Sequence, residues 1–255
     1  MSTADKEFVQ SLERGLAVIQ TFSRERPWMT LAEVARGTDL TRATARRLLF
    51  TLCALGYAAH DGKRFTLTAR VLDLGYAYLS SLDLTEIAQV EMEALVERTH
   101  ESSSSAVLDG SEIVYVVRVP TKRIMTISLG LGSRLPAYAA SMGRVLLAEL
   151  APEALDDYLA TAKLKPLTER TITHPDALRA VLDKVRRQGW ALVDQELEEG
   201  IRSVAAPLRD RRGRAVAALN VSSHAGRVDL ATLRGEFLPA VVETAARISE
   251  RLARR

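Results

Sequence analysis

The first apolar residues of the chain recur at helical spacing. Phe8, Leu12, Leu16, Ile19 and Phe22 fall on one stripe, which predicts an amphipathic helix with that face in a core, closed by the polar run before Pro27. Thr30-Leu31-Ala32-Glu33 is a capping-box pattern, in which the Thr30 hydroxyl accepts from the Glu33 amide while the carboxylate reaches back. A short helix is expected there, stopped by Gly37, and a second from Thr41 to about Leu55, where Gly56 ends it. On that second helix Ala45, Leu48, Leu49 and Leu52 share one face, which turns Arg42, Ala43, Arg46, Arg47 and Phe50 to the other. The stretch YAAHDGKRFTLT then predicts two short strands joined at Asp61-Gly62, with Lys63 and Arg64 beside the tip. From about Ala69 to Leu82 apolar residues spread almost all round a helix, the pattern of a linker that packs against a partner chain.

A second capping box, Asp83-Leu84-Thr85-Glu86, opens a helix from Ile87 to Thr99, after which the periodicity changes from helical to strand-like. SSAVLDGSEIVYVVRV has Gly110 between two β-rich runs, and IMTISL adds a third, so residues 103 to 128 read as consecutive antiparallel strands. Helices are expected at about 140 to 150, 152 to 161 and 175 to 188. Strands return at WALVD, SVAAPLRD and AVAALNVSS, the last two joined through Asp210 to Gly213. A closing helix carries Phe237, Leu238, Val241, Val242, Ala245, Ile248 and Leu252 on one side. Two blocks of strands with helices between and around them predict an α+β sheet covered by helices.

Composition narrows the class. The 255 residues are 47% hydrophobic, 26% charged and only 5% aromatic, as in a helix-leaning globular protein, and two domains suit the length. No run approaches the roughly 18 to 20 apolar residues of a spanning helix, and MSTADKEF lacks the apolar core of a signal peptide, so a cytoplasmic location without membrane contact is expected. The single cysteine, Cys53, excludes an internal disulfide and has no partner at metal-ligand spacing.

The net charge of +3 is unevenly placed. Residues 1 to 70 carry 11 Lys or Arg against 7 Asp or Glu, whereas the remaining 185 carry 24 against 25. Within residues 41 to 70, Arg42, Arg46, Arg47, Lys63, Arg64 and Arg70 face only Asp61. A small basic module on a near-neutral larger one is the electrostatic pattern of a nucleic-acid reader joined to something else.

Capped helix, turn, basic helix and basic hairpin together describe a winged helix-turn-helix, whose second helix enters the major groove while the wing touches phosphate. The candidate DNA contacts are Thr30, Thr41, Arg42, Thr44, Arg46, Arg47, Lys63 and Arg64. A generic three-helix domain with a solvated basic face is the alternative, and Arg47 fits either a DNA contact or a solvated structural residue. Enzyme signatures are thin: the four histidines are isolated, no GxSxG elbow is present, and Gly130-Leu131-Gly132 fails as a dinucleotide motif because its third position is Leu135. No catalytic, metal or cofactor residue is assigned. The serines at 102 to 105 read as polar edge or turn, and Glu196, Glu198 and Glu199 as solvated surface.

The ordered set LERGLAVIQTF, TLAEVARGTDLTRATARRLLFTLCALGY, DGKRFTLT, RLPAYAASMGRVLLAEL, GWALVDQELEEGIRSVAAPL and AALNVSS resembles the IclR family of transcriptional regulators, over essentially the full length. RLPAYAASMGRVLLA and ALNVSS resemble the branch that controls aromatic-acid and β-ketoadipate catabolism. The resemblance implies an N-terminal winged helix-turn-helix and a C-terminal effector domain of GAF-like α/β fold. It divides the chain into a tail (1–7), a DNA-binding domain (8–69), a linker helix (70–82) and an effector domain (83–255). It further implies homodimers, often dimers of dimers, on a double-stranded, palindromic operator.

Carried over by motif, the effector pocket is lined by Ile124, Ile127, Leu135, Ser141, Met142, Ile201, Ser203, Asn220 and Ser222. Glyoxylate-responsive members have glycine and alanine where Ser141 and Met142 stand and serine where Asn220 stands, and their acidic pocket position is Val193 here. A small carboxylate of the aromatic-acid or dicarboxylate type is therefore expected. A helix start at Ser141 and Met142 offers free amides to it without requiring a lysine or arginine there. Each of Ile124, Ile127, Leu135 and Ile201 also reads as ordinary core. The rival functions are a ligand-binding sensor without sequence-specific DNA binding and an enzyme acting on the effector.

Overall fold

The structure, a computed structural model, describes residues 7–80, 84–121 and 129–254. It divides into two compact units, residues 1–81 and 82–255. The capping-box residue Asp83, the strand expected over 124–128, and Ile124 and Ile127 lie outside the described residues.

In the first unit, α1 (Gln10–Gln20) precedes a two-residue strand β1 (Met29–Thr30), α2 (Leu31–Gly37) and α3 (Arg42–Ala54). The Thr30 capping box forms in both directions, with the Thr30 amide donating to Glu33 Oε2 at 2.7 Å. Strands β2 (Ala58–His60) and β3 (Arg64–Leu67) make the hairpin, and β1 adds to β3 as a third strand, Met29 opposite Phe65. The core is Val18, Met29, Val34, Leu49, Leu52, Ala58 and Phe65. The stripe expected to bury α1 is corrected: Phe8, Leu12 and Leu16 are exposed, Phe8 by 61%, and Val18 is the buried residue of that helix. A turn at Ala69–Val71 leads into α4 (Leu72–Leu79), none of whose residues is buried within the chain.

The second unit is a six-stranded antiparallel sheet in the order β6-β5-β4-β9-β8-β7. Its strands are β4 (Ser102–Asp109), β5 (Glu112–Val119), β6 (Arg134–Pro136), β7 (Ala191–Asp194), β8 (Ile201–Arg209) and β9 (Ala215–His224). Helices α5 (Leu84–Thr99) and α9 (Leu238–Ala253) pack together on one face of the sheet. Val242, expected on the packed side of α9, is exposed. On the other face lies α6 (Ser141–Ala148), with α7 (Pro152–Thr161) and α8 (Pro175–Gln188) beyond it. Proline in the first turn starts α7 and α8, and Gly189 at φ 78° ends α8 in the left-handed conformation a side chain resists.

Helix α6 is buried along its whole length. Ala106, Ala218, Ala205 and Ala191 form the small-residue floor beneath it. The serines at 102 to 105, read from sequence as edge or turn, instead occupy the buried centre of the sheet, because β4 is flanked by β5 and β9. Their backbone groups are satisfied by the two ladders, and Ser103 Oγ donates to the Asn220 carbonyl at 2.8 Å.

Candidate functional sites

In the first unit, Thr41 caps α3: its Oγ accepts from the Thr44 amide at 3.2 Å and lies 2.9 Å from the Thr44 hydroxyl. Arg42, Arg46 and Arg47 are exposed on the face that Ala45, Leu49 and Leu52 leave free. The Arg46 guanidinium sits 4.8 Å over the Phe50 ring, which meets His60 edge-on at 5.4 Å and Phe65 at 5.7 Å. This stack ties the basic helix to the hairpin and restricts the Arg46 side chain before any contact is made. At the hairpin tip Asp61 accepts from the Lys63 and Arg64 amides and from the Arg64 side chain. Those hydrogen bonds, the Arg64 amide's first, pull its carboxyl down to about 2. Arg64 is thus a staple of the wing, also lying 5.4 Å over Trp28, while Lys63 keeps an exposed side chain. Thr30 is held by Glu33, whose carboxyl these hydrogen bonds hold below its usual range.

In the second unit, one pocket opens between the start of α6 and the sheet. Cross-strand pairing sets its polar floor in two rows, Arg118–Ser104–Asn220 and Ser102–Ser222–Ser203, the second ending at Val193. Leu135, Met142, Leu197 and Ile201 supply apolar wall. Of the residues expected here, Leu135, Ser141, Met142, Ile201, Ser203, Asn220 and Ser222 all line this one pocket. No side chain caps α6, and the Ser141 hydroxyl is buried with no hydrogen-bond partner. Asn220, 4% exposed, has protein partners: Oδ1 accepts from the Ser104 amide at 3.2 Å and Nδ2 donates to Ser222 Oγ at 3.0 Å.

Among the pocket residues not expected from sequence, Arg118 and Tyr115 change its chemistry most. Arg118 brings a cation into it, its Nη1 donating to Ser104 Oγ at 3.2 Å, in addition to the helix-start amides expected there. Tyr115 lies beside it, and burial pushes its phenol up to about 12 against the opposing pull of Arg118, so the hydroxyl is a neutral donor at ordinary pH. Both reach the same face because β5 is bulged at Val116: Tyr115 pairs with Ala106 and Val117 with Ser105, which shifts the alternation by one.

Behind the pocket, Arg144 of α6 has a side chain only 2% exposed and donates to both Glu196 oxygens, at 2.7 Å from Nη1, and to the Tyr138 carbonyl at 2.8 Å. Glu196 is therefore not solvated surface. It also accepts from the Ile172 amide, and it fixes the 195–200 loop that brings Leu197 to the pocket wall.

Comparison with known proteins decides what this pairing of units is. The family model "Bacterial transcriptional regulator IclR C-terminal" matches residues 76–250, and "IclR helix-turn-helix domain" matches residues 11–62. The chain belongs to the IclR family. Its first unit is the DNA-binding winged helix-turn-helix and its second the IclR effector domain. It is 46% identical over 238 residues to the Pca regulon regulatory protein of Pseudomonas putida, covering 93% of this chain and 82% of that protein. A Rhodococcus sp. RHA1 protein described as a transcriptional regulator has a crystal structure matching at TM-score 0.88 and 54% identity, over 97% of this chain and 99% of that one. An IclR homologue of Microbacterium hydrocarbonoxydans, crystallised with 4-hydroxybenzoate, matches at TM-score 0.85 and 25% identity over 96% and 100% of the two chains. Among the described residues no helix is long and apolar enough to cross a membrane.

For this IclR-family chain the arginines of α3 carry a direct expectation. If Arg46 reads a base, Arg46→Ala should cost roughly 1 to 3 kcal/mol on the specific operator and relax its sequence preference, whereas Lys63→Ala should weaken all duplexes alike. Fluorescence anisotropy on operator and mixed-sequence duplexes separates the two. Equal losses on both duplexes for Arg46→Ala would reduce it to a phosphate contact.

Proposed function

We propose that this regulator senses an organic acid of aromatic-acid catabolism, 4-hydroxybenzoate, protocatechuate or the dicarboxylate β-ketoadipate, in the pocket beside α6, and that occupancy changes its affinity for a palindromic operator. The observation that carries the reading is the pairing of a cation, Arg118, with a buried, unpartnered hydroxyl, Ser141, at an uncapped helix start in one pocket. A carboxylate gains charge-assisted hydrogen bonds from the guanidinium or from the first-turn amides of α6. Tyr115 and Ser203 supply groups that can orient a second polar end, while Leu135, Met142 and Ile201 enclose the apolar body. The Microbacterium homologue bound to 4-hydroxybenzoate supports an aromatic acid, and the Pseudomonas relative supports the branch.

The reading as a regulator and not an enzyme rests on relatives named as regulators. The exposed apolar faces of α1 and α4, with Phe8, Leu12, Leu72 and Tyr76, support a homodimer or a dimer of dimers. Action on DNA supports a cytoplasmic location.

Calorimetry with the three acids and their amides tests the sensor. An acid should bind and its amide should not. Arg118→Ala should weaken the acid by roughly 10- to 100-fold, the range of one hydrogen bond to a charged group at about 1.5 to 3 kcal/mol. Acid binding unchanged in Arg118→Ala would remove the guanidinium from the site, and equal binding of acid and amide would sink the anion pocket altogether.

A further inference from the structure

A second groove lies in the DNA-binding unit, on the flank of α3 that faces away from the wing. Gln10, Ser11 and Arg14 of α1 line it together with Thr44, Arg47 and Thr51 of α3; Leu48 and the exposed Leu12, which borders the apolar face of α1, complete the lining, and no carboxylate is in it. Thr44, Arg47 and Thr51 recur at three and four residues, so they share one side of the helix. Arg46 and Phe50, joined to His60 of the hairpin, lie about a third of a turn round the helix from them. The exposed face of α3 is therefore flanked by two basic loci, Lys63 and the wing on one hand and Arg14 with Arg47 on the other.

The major groove that admits such a helix is about 12 Å wide, and both its walls are sugar-phosphate backbone. A helix seated in it presents one flank to each strand. The wing accounts for one strand only. We propose that the groove between α1 and α3 seats a phosphate of the other strand, held by the guanidinium groups of Arg14 and Arg47, so that Arg14 is a DNA-contacting residue and Arg47 is a phosphate contact instead of a solvated bystander. Charge complementarity fits this occupant, and the groove is continuous with the recognition face through Arg47 and Thr44. The polar ends of Gln10 and Ser11 are the short donors that usually accompany arginine at a phosphate, while the Thr51 hydroxyl is spent on the Arg47 carbonyl at 2.8 Å.

The contact is blind to sequence, so its test needs no operator. Full-length protein is titrated into a fluorescein-labelled 30-base-pair duplex of mixed sequence at several salt concentrations between 50 and 200 mM. Each phosphate contact contributes about 0.9 to the slope of log K against log salt. Arg14→Ala should therefore lower the slope by about 0.9 per protomer bound and weaken binding on the order of 10-fold at 100 mM salt. Arg14→Lys should keep most of the slope. Arg211→Ala, the same charge change on the exposed 210–213 turn of the effector unit, should leave it unaltered. Arg14→Gln, which keeps the length of the side chain, covers the case in which alanine disturbs α1. Slopes for Arg14→Ala and Arg14→Gln equal to that of Arg211→Ala, with melting curves intact, would overturn the proposal. So would a shift to monomer on sedimentation with the slope retained, since the groove would then belong to a partner protomer and not to DNA.

Discussion

Glu196→Ala should cost the effector domain about 3 to 5 kcal/mol, the loss measured when one member of a buried ion pair is removed and its partner stays behind. Arg144 cannot follow its lost partner into water, because its side chain is 2% exposed and lies between the α6 turn and the 195–200 loop, already committed to the Tyr138 carbonyl. At roughly 2 to 4 °C per kcal/mol for a domain of this size, the effector-domain transition should fall by about 10 °C in a thermal melt followed by circular dichroism. The double variant Arg144→Met/Glu196→Leu should be less harmed than the single one, because it leaves no charge behind. A double variant as unstable as Glu196→Ala would show that the pair's geometry, and not the stranded charge, is what matters. Because Glu196 also fixes the loop that carries Leu197, organic-acid binding should weaken in the single variant in the same direction.

Gly143→Ala should be nearly as damaging, for a steric reason. A Cβ at this position of α6 would lie 2.1 Å from the Ala137 carbonyl oxygen and 2.4 Å from the Ala137 Cα, both backbone atoms with no rotamer to yield. The 3₁₀ turn at Ala137–Ala139 can approach the helix only because position 143 has no side chain. Either α6 or that turn must shift, and overpacking of this kind costs about 3 kcal/mol, occasionally more. The helix sits on the alanine floor of the sheet, so its displacement would also alter the pocket at Ser141 and Met142. A melting temperature within 2 °C of the parent, with pocket affinity unchanged, would contradict the close approach.

The DNA-binding unit was largely legible in the sequence because its signals are local. Thr30 and Glu33 fix a helix start within four residues, Thr41 marks the next, and Asp61-Gly62 marks the hairpin tip. What escaped was non-local. The two-residue strand β1 is too short to show alternation and exists only because Phe65 lies opposite Met29. The apolar stripe of α1 was legible as a stripe, but periodicity does not say whether the chain itself or another molecule covers it.

In the effector domain, the order of helices and strands followed from their periodicities, and seven of the expected pocket residues converge on one cavity. Arg118 was missed because strict alternation from Tyr115 points to Val117 as its neighbour on the same face, and the bulge at Val116 substitutes the arginine. The serine run reads as edge or turn because polarity is a poor guide in the middle of a sheet, where two flanking ladders satisfy the backbone. Glu196 reads as surface because its partner, Arg144, lies 52 residues away and no local pattern links the two.

The Arg46–Phe50–His60–Phe65 stack has a consequence for how an effector can exert control. It joins the recognition helix and the wing through one aromatic cluster, above a core that the first unit completes by itself. A reading head built this way does not bend to suit a near-match, and a ligand in a separate domain gains little by trying to reshape it. In the proposed dimer on a palindromic operator, the adjustable quantity is the phase between two such heads along the duplex, which is counted in base pairs between half-sites. Lengthening an operator's spacer by one base pair should thus imitate or cancel the effector's signal, with both half-sites left intact.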